Sequence, residues 1–364
     1  MIPFFSKKRE NFFLKKKNTK LFNEVFLSGK VLQGPSVKEL EIKLSKLYNK
    51  KYTICVNSCT DALYFSLKSL KINKNDEVLV SNYSYISSAS AIVRCGAKPV
   101  FVDIENDYNM SLEKAKKKVS KKTKALIYVH LFGKQGNLNN IKKFCKDHKI
   151  YLIEDVAQTF GFSNLKKKAG TIGDLTCISF DPTKTISAPG SGGAILTDSN
   201  KKYNFIKKIR YHGKSTNTST FDFLGFNSQM PSLTASVLIE KIKHNDNWIL
   251  KRRKIANYYS SNLSKHVVVP ETDKNHVFHK YVILSPKRDS LKNYLKKNNI
   301  ESMIHYSHLL SQNKYMKKYI NKNEKFKTAT YVSKNALSLP VHHFLKNSEV
   351  KKVVNVIKKF FKKK

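Results

Sequence analysis

Arginine is scarce in this chain, with six residues against 63 lysines in 364. A surface built to read nucleic acid concentrates basic residues on one face and uses arginine for two-pronged contacts. The lysines instead run through every segment, with Asn, Ile, Tyr and Phe between them. The formal charge of +43 therefore reads as solvated lysine faces rather than a nucleic-acid surface. Such a field would still attract an anionic substrate. Cysteine is sparse too. Cys55, Cys59, Cys95, Cys145 and Cys177 are odd in number and never form a CxxC pair. That argues against a disulfide framework and a zinc site, and for reduced thiols. No apolar run approaches the roughly 20 residues of a bilayer-spanning helix. The stretch Met1-Ile-Pro-Phe-Phe-Ser-Lys-Lys-Arg-Glu10 turns charged too early for a secretory leader. These absences predict a cytoplasmic protein with no metal and neither a membrane nor a nucleic-acid partner.

What is present is ordinary for a globular protein: 40% apolar and 11% aromatic residues, enough for a sizeable core in two domains. No internal repeat is visible. After an N-terminal arm over residues 1–30, residues 37–47 carry apolar side chains at helical spacing. Tyr52-Thr-Ile-Cys-Val56, Glu77-Val-Leu-Val80, Pro99-Val-Phe-Val102 and Ala125-Leu-Ile-Tyr-Val-His-Leu131 read as strands. The last is continuous enough to be buried on both faces. Helices open at Asn57 and near Ile86. This alternation predicts an α/β domain over 31–240, with a mainly parallel sheet flanked by helices. Beyond about residue 235 the pattern changes to a long helix over 238–263, a strand at Tyr281-Val-Ile-Leu284 and a final helix over 350–361. Together these predict a smaller α+β domain over 241–364. The final helix fits either a membrane surface or packing on its own domain.

In parallel sheets, ligands sit at the carboxyl ends of the strands. Tyr151-Leu-Ile-Glu-Asp-Val-Ala-Gln158 reads as a buried strand that ends on an acid, Asp155, followed by an amide. A second apolar run, Thr176-Cys-Ile-Ser-Phe180, leads through Asp181-Pro-Thr to Lys184, and Gly190-Ser-Gly-Gly193 follows. An acid at a strand end with a lysine on a nearby loop is what pyridoxal phosphate needs. The amine holds the aldehyde carbon as a Schiff base, and the carboxylate keeps the pyridine nitrogen protonated so that the ring accepts electrons. Thr60 and Tyr85 fall at the same strand ends.

Further motifs follow the same order along the chain. They are Gly34-Pro35, Asn57-Ser-Cys-Thr-Asp-Ala-Leu63, Gly96-Ala-Lys-Pro-Val-Phe-Val-Asp103, Val129-His-Leu-Phe-Gly133, Arg210-Tyr-His-Gly213, Gly225-Phe-Asn227 and Leu339-Pro340. With them, the chain resembles the DegT/DnrJ/EryC1/StrS family of sugar aminotransferases from about Leu32 to its end. The resemblance implies pyridoxal-phosphate fold type I. It implies that Lys184 bonds the cofactor and then shuttles a proton, that Asp155 pairs with the pyridinium and that Gln158 contacts the phenolic oxygen. Thr60, with the amides of Ser58 and Cys59, would hold the phosphate at a helix N-terminus, and Ser179 would add a hydroxyl. Asp155 also fits a helix cap. Tyr85 would stack on the ring, although core packing also suits an aromatic. Asn227 would reach the phosphate of a neighbouring subunit, giving a homodimer with shared active sites; it also fits a turn. His212, His305 and Tyr306 would lie near the sugar nucleotide, while a histidine satisfied inside the fold fits equally.

Three departures bear on sugar specificity: Cys59 stands where glycine is usual, Gln229 where arginine is common, and Ser307-His308-Leu309 lacks prolines. The implied reaction moves an amino group from glutamate, which leaves as 2-oxoglutarate, to a nucleotide-linked keto-sugar. The product would be an amino sugar for a surface polysaccharide or a related glycan. On residues alone, another fold type I enzyme (a sugar dehydratase or lyase) and a non-catalytic regulatory relative stay open. Lys184 argues against the dehydratases that carry histidine at that position.

Overall fold

A computed structural model describes residues 1–163, 167–215, 219–321 and 323–362. Strands β1 (Tyr52–Val56), β2 (Glu77–Ser81), β3 (Lys98–Val102), β4 (Thr123–Val129), β5 (Tyr151–Asp155), β6 (Leu175–Ser179) and β7 (Gly193–Thr197) form one sheet. Their order is β1-β7-β6-β5-β4-β2-β3. Each apolar run read as a strand is one. The sheet is parallel from β3 through β6, and β7 alone runs against its two neighbours. The first residue of β7, Gly193, therefore reaches the edge where the other strands end.

Alternation along the strands sorts the side chains into two covered faces. Ile54, Val56, Val78, Val80, Ile127, Ile153, Cys177 and Ile195 belong to one buried cluster, which α4 (Cys59–Ser69), α5 (Ser87–Arg94) and α8 (Asn200–Ile209) close. Cys55, Ile178, Ala194 and Leu196 point the other way, against α3 (Pro35–Tyr48) and α9 (Ser232–Ile242). Leu79, Val102, Leu126 and Leu152 meet α7 (Leu138–Asp147), with the short α6 (Leu112–Lys116) at the margin. In α3, Pro35 sits in the first turn, Val37, Leu40, Leu44 and Tyr48 are buried, and Asn49 ends the helix in the left-handed conformation. That is the start and stop pattern expected of such a segment.

The segment expected as one helix over 238–263 is two, α9 and α10 (Asn245–Leu263). The N–H groups of Lys243 and His244 fold back on the carbonyls of Glu240 and Lys241 at 3.2 and 3.0 Å, which tightens and ends α9. Asn245 then turns its amide to the Gly161 carbonyl (2.9 Å), and Asp246 accepts the Ser163 N–H (2.9 Å). A distant loop thus sets the break. The expected strand over 125–131 also ends earlier, at Val129, because the His130 ring is drawn to Glu154 and residues 131–133 form a 3-10 turn.

The C-terminal part pairs β8 (Tyr281–Leu284) with β9 (Ala336–Leu339) and adds α11 (Arg288–Lys297), α12 (Lys327–Asn335) and α13 (Asn347–Lys362). Val350, Val353, Val354, Val356 and Ile357 of α13 are buried in a cluster with Leu291, Leu295, Leu337 and Leu339. The apolar face of the last helix is therefore spent on its own neighbourhood. Among the described residues, no helix is long and apolar enough to cross a membrane. The N-terminal arm is helical, with α1 (Lys7–Phe13) and α2 (Lys15–Ser28), and Ile2 joins the C-terminal cluster by a bridge to Ile300.

Candidate active site

The carboxyl ends of β1, β2, β4, β5 and β6 converge on a cleft of about 360 Å³, a size suited to a small ligand. Ser58, Cys59, Thr60, Tyr85, Asp155, Gln158, Ser179, Lys184, His305 and Tyr306 all line it. His212 and Asn227 do not. Both are exposed, on two segments that pair with each other: Tyr211 bridges Asn227, and His212 donates its N–H to the Phe226 carbonyl (3.0 Å). Within one chain, therefore, these two side chains lie outside the cleft lining.

Successive residues of β5 face opposite ways, and this divides the labour of two adjacent acids. Glu154 points away from the cleft. It accepts N–H bonds from Gly170 (2.8 Å), Ile172 (2.9 Å) and Gly173 (2.6 Å) and pairs with the His130 ring at 3.2 Å. Burial pushes its carboxyl up, but His130 and these N–H groups outweigh that and hold it below the usual range. Asp155 points into the cleft. One of its oxygens accepts the Ala157 N–H at 2.9 Å, and the other has no hydrogen-bond partner among the described residues. Burial pushes this carboxyl above its ordinary value, against the pull of Ala157 N–H and the Lys184 ammonium. A buried acid with one free oxygen suits a cationic ring nitrogen.

Lys184 follows a turn in which its N–H meets the Asp181 carbonyl at 2.9 Å and Asp181 caps the Thr183 N–H at 2.8 Å. That turn carries the chain out of β6 and returns the lysine over the strand ends. At the start of α4, Ser58 caps the helix by accepting the Asp61 N–H (3.1 Å). The Cys59 and Thr60 amides find no acceptor among the described residues. Thr60 and Ser87 hydroxyls meet at 2.9 Å, joining the first turns of α4 and α5. Free N–H groups, a favourable dipole and two hydroxyls make an anion cradle. Glycine at 193 lets the sheet approach this cradle closely, since a Cβ there would lie 2.5 Å from the Ser58 carbonyl carbon and 2.7 Å from the Cys59 nitrogen. Burial raises the Cys59 thiol well above its ordinary value, so it stays protonated and serves as packing.

Gln158 accepts the Phe132 N–H at 3.0 Å and turns its NH₂ toward the Tyr306 hydroxyl at 3.4 Å. Tyr85 lines the cleft and is 57% exposed, so it is not packed into this chain's own core. The His305 ring meets the Ser338 hydroxyl at 2.8 Å; burial, then Lys280 and Lys184, push its pKa down to about 3. Sequence reading missed several contributors. Ser228 accepts the Asn57 N–H (3.1 Å) and donates to Asp61 (2.8 Å), tying the cradle to the segment that carries Asn227. His279 and Lys280 also line the cleft, and their only sequence signal is their place immediately before β8.

The donor set fits pyridoxal phosphate: a lysine amine, a buried carboxylate with a free oxygen, and an anion cradle, all on one cleft. A mostly parallel sheet carrying that set at its carboxyl edge defines a fold type I transferase. The chain belongs to the DegT/DnrJ/EryC1/StrS aminotransferase family, whose model matches residues 13–358 and so begins inside the helical arm. A dTDP-3-amino-3,6-dideoxy-alpha-D-galactopyranose transaminase of Aneurinibacillus thermoaerophilus is 31% identical over 99% of both chains. A pleiotropic regulatory protein of Geobacillus stearothermophilus is 34% identical over 96% of this chain and 95% of its own. Among solved structures, a DegT DnrJ EryC1 StrS aminotransferase from Brucella abortus matches with a TM-score of 0.94 at 28% identity, covering 100% of both chains. The chain is an enzyme of the aminotransferase class.

Proposed function

We propose that this protein transfers an amino group from glutamate to a nucleotide-linked keto-sugar, as a cytoplasmic homodimer with shared active sites. The aminotransferases of this family use pyridoxal phosphate, which, when bound, supplies an electron sink for the carbanion formed on losing a proton. Asp155 keeps a proton on the ring nitrogen, and the free amides of Cys59 and Thr60, with the hydroxyls of Ser58, Thr60 and Ser179, hold the phosphate. Gln158 orients the ring edge and Tyr85 covers its face. Lys184 Nζ takes the proton from the donor carbon and returns it on the other side of the exchange. His305, neutral at physiological pH, and Tyr306 flank the sugar.

The observation that carries this reading is that Lys184 and Asp155 line one cleft together with the cradle at the start of α4. Support for the dimer is the exposure of Tyr85 (57%) in the cleft lining and of Phe221 (61%) and Leu224 (96%), which lie close to Asn227 in sequence. Asn227, itself exposed and three residues after Leu224, would serve the partner's phosphate. The name of the Geobacillus relative favours a second reading, in which the enzyme also serves a regulatory role. The test loads the protein with pyridoxal phosphate, adds glutamate, offers a panel of nucleotide keto-sugars and follows products by mass spectrometry. An aminated sugar is expected from at least one member. A loaded protein that aminates none, although glutamate is consumed, would refute the sugar as acceptor.

A further inference from the structure

Lys280 is a lysine in the wrong place for a solvated charge. It precedes β8, is 4% exposed, and lines the same cleft as Lys184, His279 and His305. Among the described residues its amine makes no hydrogen bond and no ion pair. It lies over the rings of Phe5 (4.2 Å) and Phe4 (4.9 Å), which the N-terminal arm lays against the cleft. The arm is fixed there by the Phe4 N–H on Glu301 (2.7 Å), by the stacking of Phe4 on His305 (5.7 Å) and by the Ile2–Ile300 bridge.

The surrounding charges do not compensate it. Lys184, Arg252 and Lys7 are all like-charged, and burial followed by these neighbours lowers its pKa well below the ordinary value. The acid that opposes this is Asp181, and that carboxylate already caps Thr183. Burial without a counter-ion favours the neutral amine, and an anion entering the cleft draws the proton back and pairs with the ammonium so formed. Among the described residues, Asp155 is the only carboxylate lining the cleft besides Asp181, and its free oxygen is assigned to the ring nitrogen. One enclosed ammonium suits one small monoanion. A diphosphate, with charge spread over several oxygens, calls for several solvent-reachable donors.

We propose that Lys280 is a specificity residue that binds a carboxylate of the substrate. This rests on the aminotransferase reading above and deepens it. The carboxylate has two possible sources: the distal carboxylate of a dicarboxylic amino donor, or the C6 carboxylate of a uronate sugar. The Phe4 and Phe5 rings keep water from the amine and so strengthen the contact.

The experiment compares wild type, Lys280→Gln and Lys280→Arg, each loaded with pyridoxal phosphate. One arm measures kcat/KM for glutamate against its side-chain amide, glutamine. The other compares two nucleotide keto-sugars that differ only in carrying a carboxylate or a hydroxymethyl at C6. Loss of a charged hydrogen bond predicts that the carboxylate preference in one arm falls by about ten- to a hundredfold in Lys280→Gln, through KM, with partial rescue in Lys280→Arg. The arm that collapses identifies the source. Unchanged preferences in both arms would overturn the proposal. So would lost cofactor affinity in Lys280→Gln with both preferences intact, which would make Lys280 a cofactor ligand. If Lys280→Gln fails to fold, wild type decides through inhibition by glutarate against butyrate and by a nucleotide uronate against the matching hexose. Equal inhibition within both pairs again overturns it. A wild type that converts no amino donor rejects the aminotransferase reading instead, and the inhibitor pairs still test Lys280.

Discussion

Gly193→Ala tests whether the sheet and the anion cradle are built against each other. The methyl would sit 2.5 and 2.6 Å from the Ser58 carbonyl carbon and oxygen and 2.7 Å from the Cys59 nitrogen. Unstrained contacts of this kind are about 3.5 Å or more, so β7 and the start of α4 must separate by roughly 1 Å. All three atoms are backbone, and no side chain can swing away to absorb the change. Overpacking of this kind costs about 1–3 kcal/mol of stability. Displacing the cradle by that distance costs more in function, about a hundredfold if the phosphate is held as proposed. Gly192→Ala is the matched control. Its nearest neighbours are side-chain carbons of Met230 and Phe180 at 3.3 Å, and the methionine end can yield. The assay titrates pyridoxal phosphate onto apo protein by absorbance, alongside a thermal melt. Gly193→Ala should lose about a hundredfold in affinity and a few degrees in Tm, with Gly192→Ala near wild type. If Gly193→Ala binds like wild type and melts at the same temperature, the cradle does not depend on this contact.

Asp155→Asn should separate stability from function. Because burial raises the folded pKa of Asp155, ionisation costs the apo protein stability as pH rises from the ordinary carboxylate range through that raised value. The variant's apo form should therefore melt above wild type at neutral pH and with it in acid, yet bind cofactor about ten- to a hundredfold more weakly for want of a charged hydrogen bond; equal affinity would remove Asp155 from the site. Glu10→Gln acts in the opposite sense. Burial pushes the Glu10 carboxyl up, but Lys7 and Lys241, the latter at 2.6 Å, outweigh it and hold it low. Its stabilisation is thus full above the ordinary glutamate range and fades as pH falls through the depressed value. Melts across pH should show a loss of about 3–5 kcal/mol at neutral pH that disappears in acid; a constant difference would contradict the pairing. Lys184→Ala should fold normally and lose the covalent cofactor adduct that borohydride fixes to wild type; a retained adduct would assign that bond to another lysine.

Much of the sheet was legible because strands covered on both faces are short apolar runs, as in Tyr52–Val56 and Tyr281–Leu284. β7 was not read as a strand because it opens on glycine and continues the turn after Lys184. The break between α9 and α10 was hidden because its cause lies at Gly161 and Ser163, some 80 residues upstream. In the site, Asp155 and Lys184 stood out through their positions at strand ends. Lys280 could not, since one lysine among 63 gives no hint of being buried. Ser228 was equally silent, because its role is to tie Asn57 and Asp61, which only tertiary proximity brings together.

The most direct measurement adds glutamate alone to protein loaded with pyridoxal phosphate, with no sugar present. The account predicts that the cofactor's aldehyde absorbance gives way to that of its amine form, with 2-oxoglutarate released in proportion to the sites and no further turnover. Persistence of the aldehyde spectrum with no 2-oxoglutarate would contradict it.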